Sequence, residues 1–260
     1  MSAWLASHPR RATEAAVVRI NRYAHAFGAD RLYAAVNTPL DDLPVRCPAT
    51  RSYLWLKRCL DWYVAVVALL AAAPLLALIA LLIRRDSPGP ALFRQTRAGL
   101  HGRPFTLLKF RTMRTGVDPY GDSPQSGRDP RLTRVGRWLR ETSLDELPQF
   151  WNVLRGDLSL VGPRPLYVQQ IAEWNSRQRG RLLVKPGLTG LAQVHGRANL
   201  TIEDKLEWDV RYVEQAGLRT DLRILAQTLA GLARRTGIYE VRYSRTRSRR
   251  SPPITSEPGS

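Results

Sequence analysis

The sequence predicts an α+β protein that is predominantly helical and held at a membrane. Three observations carry this: an uncharged apolar run from Trp62 to Ile83, two strand-like segments around a glycine-containing turn, and leucines at helical spacing near the C-terminus. The chain has 260 residues, 44% of them hydrophobic, enough for a core in one domain or two small ones.

The apolar run, WYVAVVALLAAAPLLALIALLI, would measure roughly 33 Å as one helix, enough to cross a bilayer core. It begins too far along the chain for a signal peptide. Pro74 sits near its middle, where the missing amide removes one helical hydrogen bond and the ring crowds the preceding turn, so a kink or break is expected. Lys57 and Arg58 precede the run, and Arg84 and Arg85 follow it. Positive charge at both ends favours a helix-break-helix that dips in and returns to the cytoplasmic face. A single span with a tolerated proline fits these residues equally well. A buried soluble helix fits less well, because no polar stripe runs along the segment.

Upstream, Val17, Ile20, Ala24 and Phe27 predict a helix over about Glu14–Val36, followed by a proline-rich, acidic linker over Thr38–Pro48. Downstream, DSPGP (Asp86–Pro90) stops the apolar helix, and ALFRQ and FTLLKFRTM flank GLHGRP as a small β-hairpin. The stretch Gly116–Pro130 is a loop by composition, either a cover for a substrate or an exposed connection. Leu218, Leu222, Leu225, Leu229 and Leu232, with Arg219, Arg223, Arg234 and Arg235 nearby, predict an amphipathic helix that lies at a membrane interface or faces a core. The expected organisation is an N-terminal extension over 1–50, a main domain over 51–241 with its membrane helix at about 54–85, and a disordered basic tail over 242–260.

Lys and Arg number 40 against 22 Asp and Glu, a formal net charge of +18. Such a chain expects a polyanionic partner: nucleic acid, anionic lipid headgroups or a phosphorylated substrate. No base-reading module is present, which sets nucleic acid aside. Cys47 and Cys59 form neither a disulfide framework nor a metal motif, and the four histidines are scattered, which excludes a zinc site of recognised spacing.

Against this charge stands the acidic pair Asp145–Glu146, within SLDELPQFWNVLRGDLSLVGPRP. Ser143 and Glu146 have the spacing of a capping box, in which both side chains satisfy free amides at a helix start. A helix starting at Pro148 is the alternative, leaving both carboxylates in the preceding turn. Lys109, Arg111, Arg140, Arg164 and Arg197 follow the apolar run amid turns (VGPRP, KPGLTG, HGR) that suit close approach by phosphates. An ionised, positioned carboxylate there can either cap a helix or attack phosphorus.

Taken together, the proline-containing apolar segment, SPGPALFRQTRAGLHGRPFTLLKFRTM, LTRVGRWLRETSLDELPQFWNVLRGDLSLVGPRP, KPGLTGLAQVHGR, and WDVRYV followed by DLRIL resemble the bacterial sugar transferase family. These are the monotopic polyprenyl-phosphate phosphoglycosyl transferases, here of the small single-domain type. The resemblance covers about Tyr53 to Tyr239. It implies a monotopic fold with a proline-broken re-entrant helix, interfacial amphipathic helices and a small hairpin, at the cytoplasmic face of the bacterial inner membrane. It implies transfer of a phospho-sugar from a UDP-sugar to undecaprenyl phosphate with release of UMP, initiating a surface glycan such as an exopolysaccharide. The family's catalytic acids fall on Asp145, the nucleophile and contact for Mg²⁺, and Glu146, which assists the lipid-phosphate step. Arg164 is implied in nucleotide-sugar binding and Arg140 in phosphate contact. Lys109, Arg111, Asp157, Gly162, Pro163, Pro165 and Arg197 match substrate-side motifs. The helix break falls on Pro74, preceded here by Ala73 where the family often has serine, and Ala198 stands where the family has asparagine after the GR of its QVxGR block. A non-catalytic basic membrane adaptor is the alternative reading. The sugar, the glycan pathway and any homo-oligomeric state are left open.

Overall fold

The computed structural model describes residue 40 and residues 43–234, except 119, 122, 125 and 197–199. The expected helix over Glu14–Val36 and the basic tail lie outside the described residues.

Helix α1 runs from Arg51 to Asp86, capped by Thr50, whose hydroxyl accepts from the Tyr53 amide. Its length corresponds to about 54 Å of helix. Pro74 lies inside it and the helix is continuous through it, so of the expected kink or break, no break is found. This fits the physics of a lone proline, which costs one hydrogen bond while its own φ stays helical. The apolar stretch of α1 is 11% buried, and Val67 and Leu70 in its middle are exposed.

The two ends of α1 behave differently from its middle, because both are fastened to the same body. Near the start, Ala65 packs in a core with Val153, Leu158, Val161 and Tyr212. There Asp61 accepts from the Leu160 amide at 2.9 Å, and Lys57 pairs with Asp221. Near the finish, Ile79 and Ile83 are buried against Phe110 and Leu139, each contributing about 1.5–3 kcal/mol of burial. Asp86 accepts from the Val135 amide at 2.9 Å, and Ser87 receives Arg111.

Strands β1 (Leu92–Ala98) and β2 (Pro104–Phe110) form the expected antiparallel hairpin, with Leu92 opposite Phe110 and Ala98 opposite Pro104. Helices α2 (Arg134–Thr142) and α3 (Gln149–Arg155) follow. Asn152 of α3 is buried against β2, accepting from the Leu108 amide and donating to the Thr106 carbonyl, which fixes helix to hairpin. Strand β3 (Ser159–Val161) pairs in parallel with β4 (Gly187–Thr189), a second small sheet that no periodicity marks at three residues each. The short helices α4 (Ser176–Arg179) and α5 (Leu191–His195) lead to α6 (Ile202–Glu214) and α7 (Leu218–Arg234).

In α7 the core-facing positions are Asp221 and Ile224, while Leu218, Leu222 and Leu229 are exposed. The leucine repeat divides between the two readings: Leu225 packs against the core beside Ile224, whereas Leu218, Leu222 and Leu229 face outward, the disposition of a helix with one side on the body and the other free to lie on an apolar surface.

Candidate active site

The acidic pair lies where three elements meet. Helix α2 ends at Ser143, which adopts a left-handed conformation (φ 59°) and stops the helix with its own amide, without a side-chain cap bond. The capping box is thereby corrected: Ser143 closes one helix and does not open the next. The residues Leu144–Glu146 form a single 3₁₀ turn, and α3 begins after Pro148, as in the alternative helix start. The proline suits that boundary because it has no amide to leave unsatisfied.

The two carboxylates have opposite surroundings. Glu146 Oε1 accepts from Lys109 Nζ at 2.9 Å and from Arg164 Nη2 at 2.7 Å. Burial alone would push its carboxyl up, but Arg164 and Lys109 hold it well below the usual carboxylate range. Asp145 is buried, and no described residue donates a hydrogen bond to its carboxylate. Burial pushes its carboxyl above the usual range; Lys109 opposes this, and the charge of Glu146 adds to it. Adjacent acids driven in opposite directions are the mark of a site that assigns them different tasks.

Three basic residues expected at the site converge on this turn. Lys109 comes from β2, next to the hairpin's last residue. Arg164 comes from the turn after β3. Arg140, from the last turn of α2, donates through Nε to Thr112 Oγ1 at 3.0 Å and acts electrostatically on Asp145.

The VGPRP turn is set by backbone packing. The Gly162 amide donates to the Thr189 carbonyl at 2.8 Å, and the Gly187 amide donates to the Pro163 carbonyl at 2.9 Å. A Cβ at Gly162 would lie 2.3 Å from the Lys185 carbonyl oxygen, so only glycine lets the two strands' ends close on each other. Pro163 and Pro165 fix φ on either side of Arg164, and the side chain emerges toward Glu146.

Other expected residues stand elsewhere. Arg111 is buried and donates to the Pro90 and Ser87 carbonyls and to Ser87 Oγ, so its guanidinium fastens the turn after α1. Asp157 lies beyond the far end of α3, beside Asn152 and Arg155. Arg197 lies outside the described residues.

Several residues that order the site carry no sequence signal of their own. Arg181 and Asp209 form an ion pair at 2.7 Å with both side chains 3% exposed, and Arg181 also donates to the Arg164 carbonyl. The Tyr212 hydroxyl donates to Asp221 Oδ1 at 2.8 Å and approaches the Val161 carbonyl at 3.2 Å, while Tyr53 and Lys57 of α1 bond the other oxygen of Asp221. Asp209, Tyr212 and Asp221 fall within the WDVRYV and DLRIL blocks; a buried aspartate in each amphipathic pattern is the one clue they offer.

Among the described residues no three His, Cys, Asp or Glu side chains are grouped as a metal cage. That does not disfavour Mg²⁺, which is ordinarily held by one or two carboxylates together with substrate phosphates and water. Asp145, whose carboxylate accepts no hydrogen bond from a described residue, fits that pattern, whereas Glu146 Oε1 is already committed to two cations.

The bacterial sugar transferase family model matches residues 52–235. A UDP-glucose:undecaprenyl-phosphate glucose-1-phosphate transferase of Caulobacter vibrioides is 45% identical over 195 residues, covering 70% of this chain and 72% of that protein. An uncharacterized sugar transferase of Bacillus subtilis is 42% identical, covering 72% of this chain and 92% of its own length. An undecaprenyl-phosphate galactose phosphotransferase of Salmonella typhimurium is 38% identical over 74% of this chain and 43% of that protein. The matched span includes both fastened ends of α1, the acidic turn and the two blocks that brace it, and the chain is a transferase that belongs to the bacterial sugar transferase family.

Proposed function

We propose that the chain transfers a phospho-sugar from a UDP-sugar to undecaprenyl phosphate, releasing UMP, through an aspartyl phospho-sugar intermediate, as the first step of a surface glycan. The observation that carries this reading is the pairing of a buried carboxylate that accepts no hydrogen bond from any described residue, Asp145, with a neighbour that pins Lys109 and Arg164 beside it. The relatives from Caulobacter and Salmonella carry names of this reaction type. A basic adaptor would give this arrangement no task.

In the first step a carboxylate oxygen of Asp145 attacks the sugar-bearing phosphorus of the donor. One oxygen–phosphorus bond forms, and the bridging bond to UMP breaks, UMP leaving with the electron pair. In the second step an oxygen of the lipid phosphate attacks the same phosphorus and Asp145 leaves as carboxylate. An anion approaching a diphosphate needs its charge offset. Arg164, Lys109 and Arg140 supply fixed positive charge at the turn. Mg²⁺, held by Asp145 with the diphosphate, would supply further neutralisation of the phosphate oxygens. Glu146, held far below the usual range, is a poor base; its help to the lipid-phosphate step is to keep Lys109 and Arg164 in place.

The same reading gives α1 a re-entrant course, entering and leaving on the cytoplasmic face of the inner membrane and bending at Pro74. Support comes from the polar anchors at both of its ends, Lys57 and Asp61 at one and Asp86 at the other, all made to one body. A straight span would carry one of those ends across the bilayer. The exposed leucines of α7 rest at the interface on this course.

The test is UMP release by the purified full chain in detergent or lipid, with Mg²⁺, undecaprenyl phosphate and a panel of UDP-sugars. Multiple-turnover release that needs the lipid, one donor and Asp145, and that stops on chelation, with no more than one equivalent of UMP per enzyme in the absence of lipid, supports the reading. Undiminished release by Asp145→Asn removes Asp145 as nucleophile.

A further inference from the structure

A second basic site lies at the other end of α3. Arg58 reaches across from α1 and donates to the Val153 carbonyl at 2.6 Å and the Leu154 carbonyl at 2.8 Å, covering the negative end of the helix. The helix stops at Gly156, in the left-handed region (φ 89°). A Cβ built there would lie 3.2 Å from Arg58 Nη2 and 3.5 Å from Lys185 Nζ, so the two cations converge on one point.

No described carboxylate pairs directly with the second cation. Lys185 is half-buried and makes neither a hydrogen bond nor an ion pair among the described residues. Burial, with the charge of Arg58 added, lowers its ammonium from the ordinary value. The carboxylates acting on it are Asp61, which accepts from the Leu160 amide, and Asp157, which is engaged by Asn152 and Arg155. A half-buried ammonium beside a guanidinium is costly unless an anion joins them.

The location indicates which anion. Arg58 precedes the apolar run by one helical turn; Trp55, Trp62 and Tyr63, within five residues of it on α1, are exposed, as is Trp151 of α3, the helix whose end Arg58 covers. Exposed tryptophan and tyrosine flanking an apolar helix belong at headgroup depth. Helix α3 has seven residues, so about 10 Å of helix separates this point from the acidic turn.

We propose that Arg58 and Lys185 form a phosphate-binding site, distinct from the acidic turn, that takes the headgroup phosphate of an anionic phospholipid. This rests on the membrane-interface course of α1 and not on the transfer reaction.

The experiment is thermal unfolding of the detergent-purified full chain, wild type, Lys185→Gln and Lys185→Arg, titrated with phosphatidylglycerol, phosphatidylcholine or inorganic phosphate. Phosphatidylglycerol is expected to stabilise the wild type and Lys185→Arg, and to bind Lys185→Gln about tenfold more weakly, as expected for loss of one charged hydrogen bond. Without lipid, Lys185→Gln should be at least as stable as the wild type, which shows that it folds. Equal affinity of Lys185→Gln for phosphatidylglycerol overturns the site. A Lys185-dependent shift with inorganic phosphate that phosphatidylglycerol does not reproduce keeps the phosphate site and overturns the lipid as its source. UMP release is measured on the same samples. Absent release with intact Lys185-dependent lipid binding would count against the transfer reaction alone.

Discussion

Replacing Arg181 by methionine tests whether the active-site turn is held from behind. Arg181 and Asp209 are each 3% exposed, and Arg181 also binds the Arg164 carbonyl. Removing one partner of a buried pair strands the other, at about 3–5 kcal/mol. For a domain of this size each kcal/mol moves the midpoint by about 2–4 °C, so Tm should fall by roughly 6–20 °C. The loss should also depend on pH. Burial pushes the Asp209 carboxyl above its unfolded value, and Arg181 opposes that rise. Without Arg181 the rise is larger. The stability such a group contributes is fully present below its unfolded pKa and lost as pH rises through the folded one, so the variant's deficit should be larger at about pH 8 than at about pH 5. The double variant Arg181→Met, Asp209→Leu should recover most of the stability, since an apolar pair carries no desolvation penalty. Its UMP release should stay low, because the Arg164 carbonyl still lacks its donor. A Tm change below about 2 °C, or a deficit independent of pH, would refute the argument.

Asp145→Asn should abolish turnover and raise Tm, because burial beside the charge of Glu146 penalises the charged carboxylate and the neutral amide escapes that cost; differential scanning fluorimetry beside the UMP assay checks both. The acid limb of the pH–rate profile should lie above the ordinary aspartate range, since Asp145 must be ionised and its pKa is raised, while Glu146, held low, stays ionised throughout. Gly162→Ala forces a methyl to within 2.3 Å of the Lys185 carbonyl oxygen, and should lower kcat/KM at least about tenfold by displacing Arg164 while leaving the far ends of α1 and α7 unchanged by hydrogen exchange.

What the sequence reveals here follows the range of its interactions. The hairpin is legible because Gly-containing GLHGRP separates two apolar segments, and α1 because its apolar run is long. Ser143 misleads because a serine three residues before a glutamate is a local signal, whereas in the fold the residue takes a left-handed conformation that ends α2, whose Leu139 is buried against Ile79 and Ile83 of α1. The leucines of α7 are legible only in part: spacing defines a stripe, and only tertiary contacts decide that Leu225 packs inward beside Asp221 and Ile224 while Leu218, Leu222 and Leu229 stay exposed. Lys109, Arg140 and Arg164 are found through motifs, yet their convergence on one turn depends on β2, α2 and β3 meeting. Arg111 matches the same kind of motif, and its buried geometry gives it to the Ser87 turn instead. The Arg181–Asp209 pair spans 28 positions and has no pattern to announce it.

On the re-entrant course proposed for α1, its double fastening would make the lipid bilayer a mechanical component of the enzyme. One end holds β3 through Asp61, and hence the strand that launches Arg164; the other holds α2 through Asp86, and hence the helix that delivers Asp145. A membrane too thick or too thin for the inserted segment must be accommodated, by flexing at Pro74 or by shifting the anchors. The proline, with one hydrogen bond already missing, is the softer element, and on that course it would act as a compliant joint that lets the bilayer vary while the separation of β3 and α2 is kept.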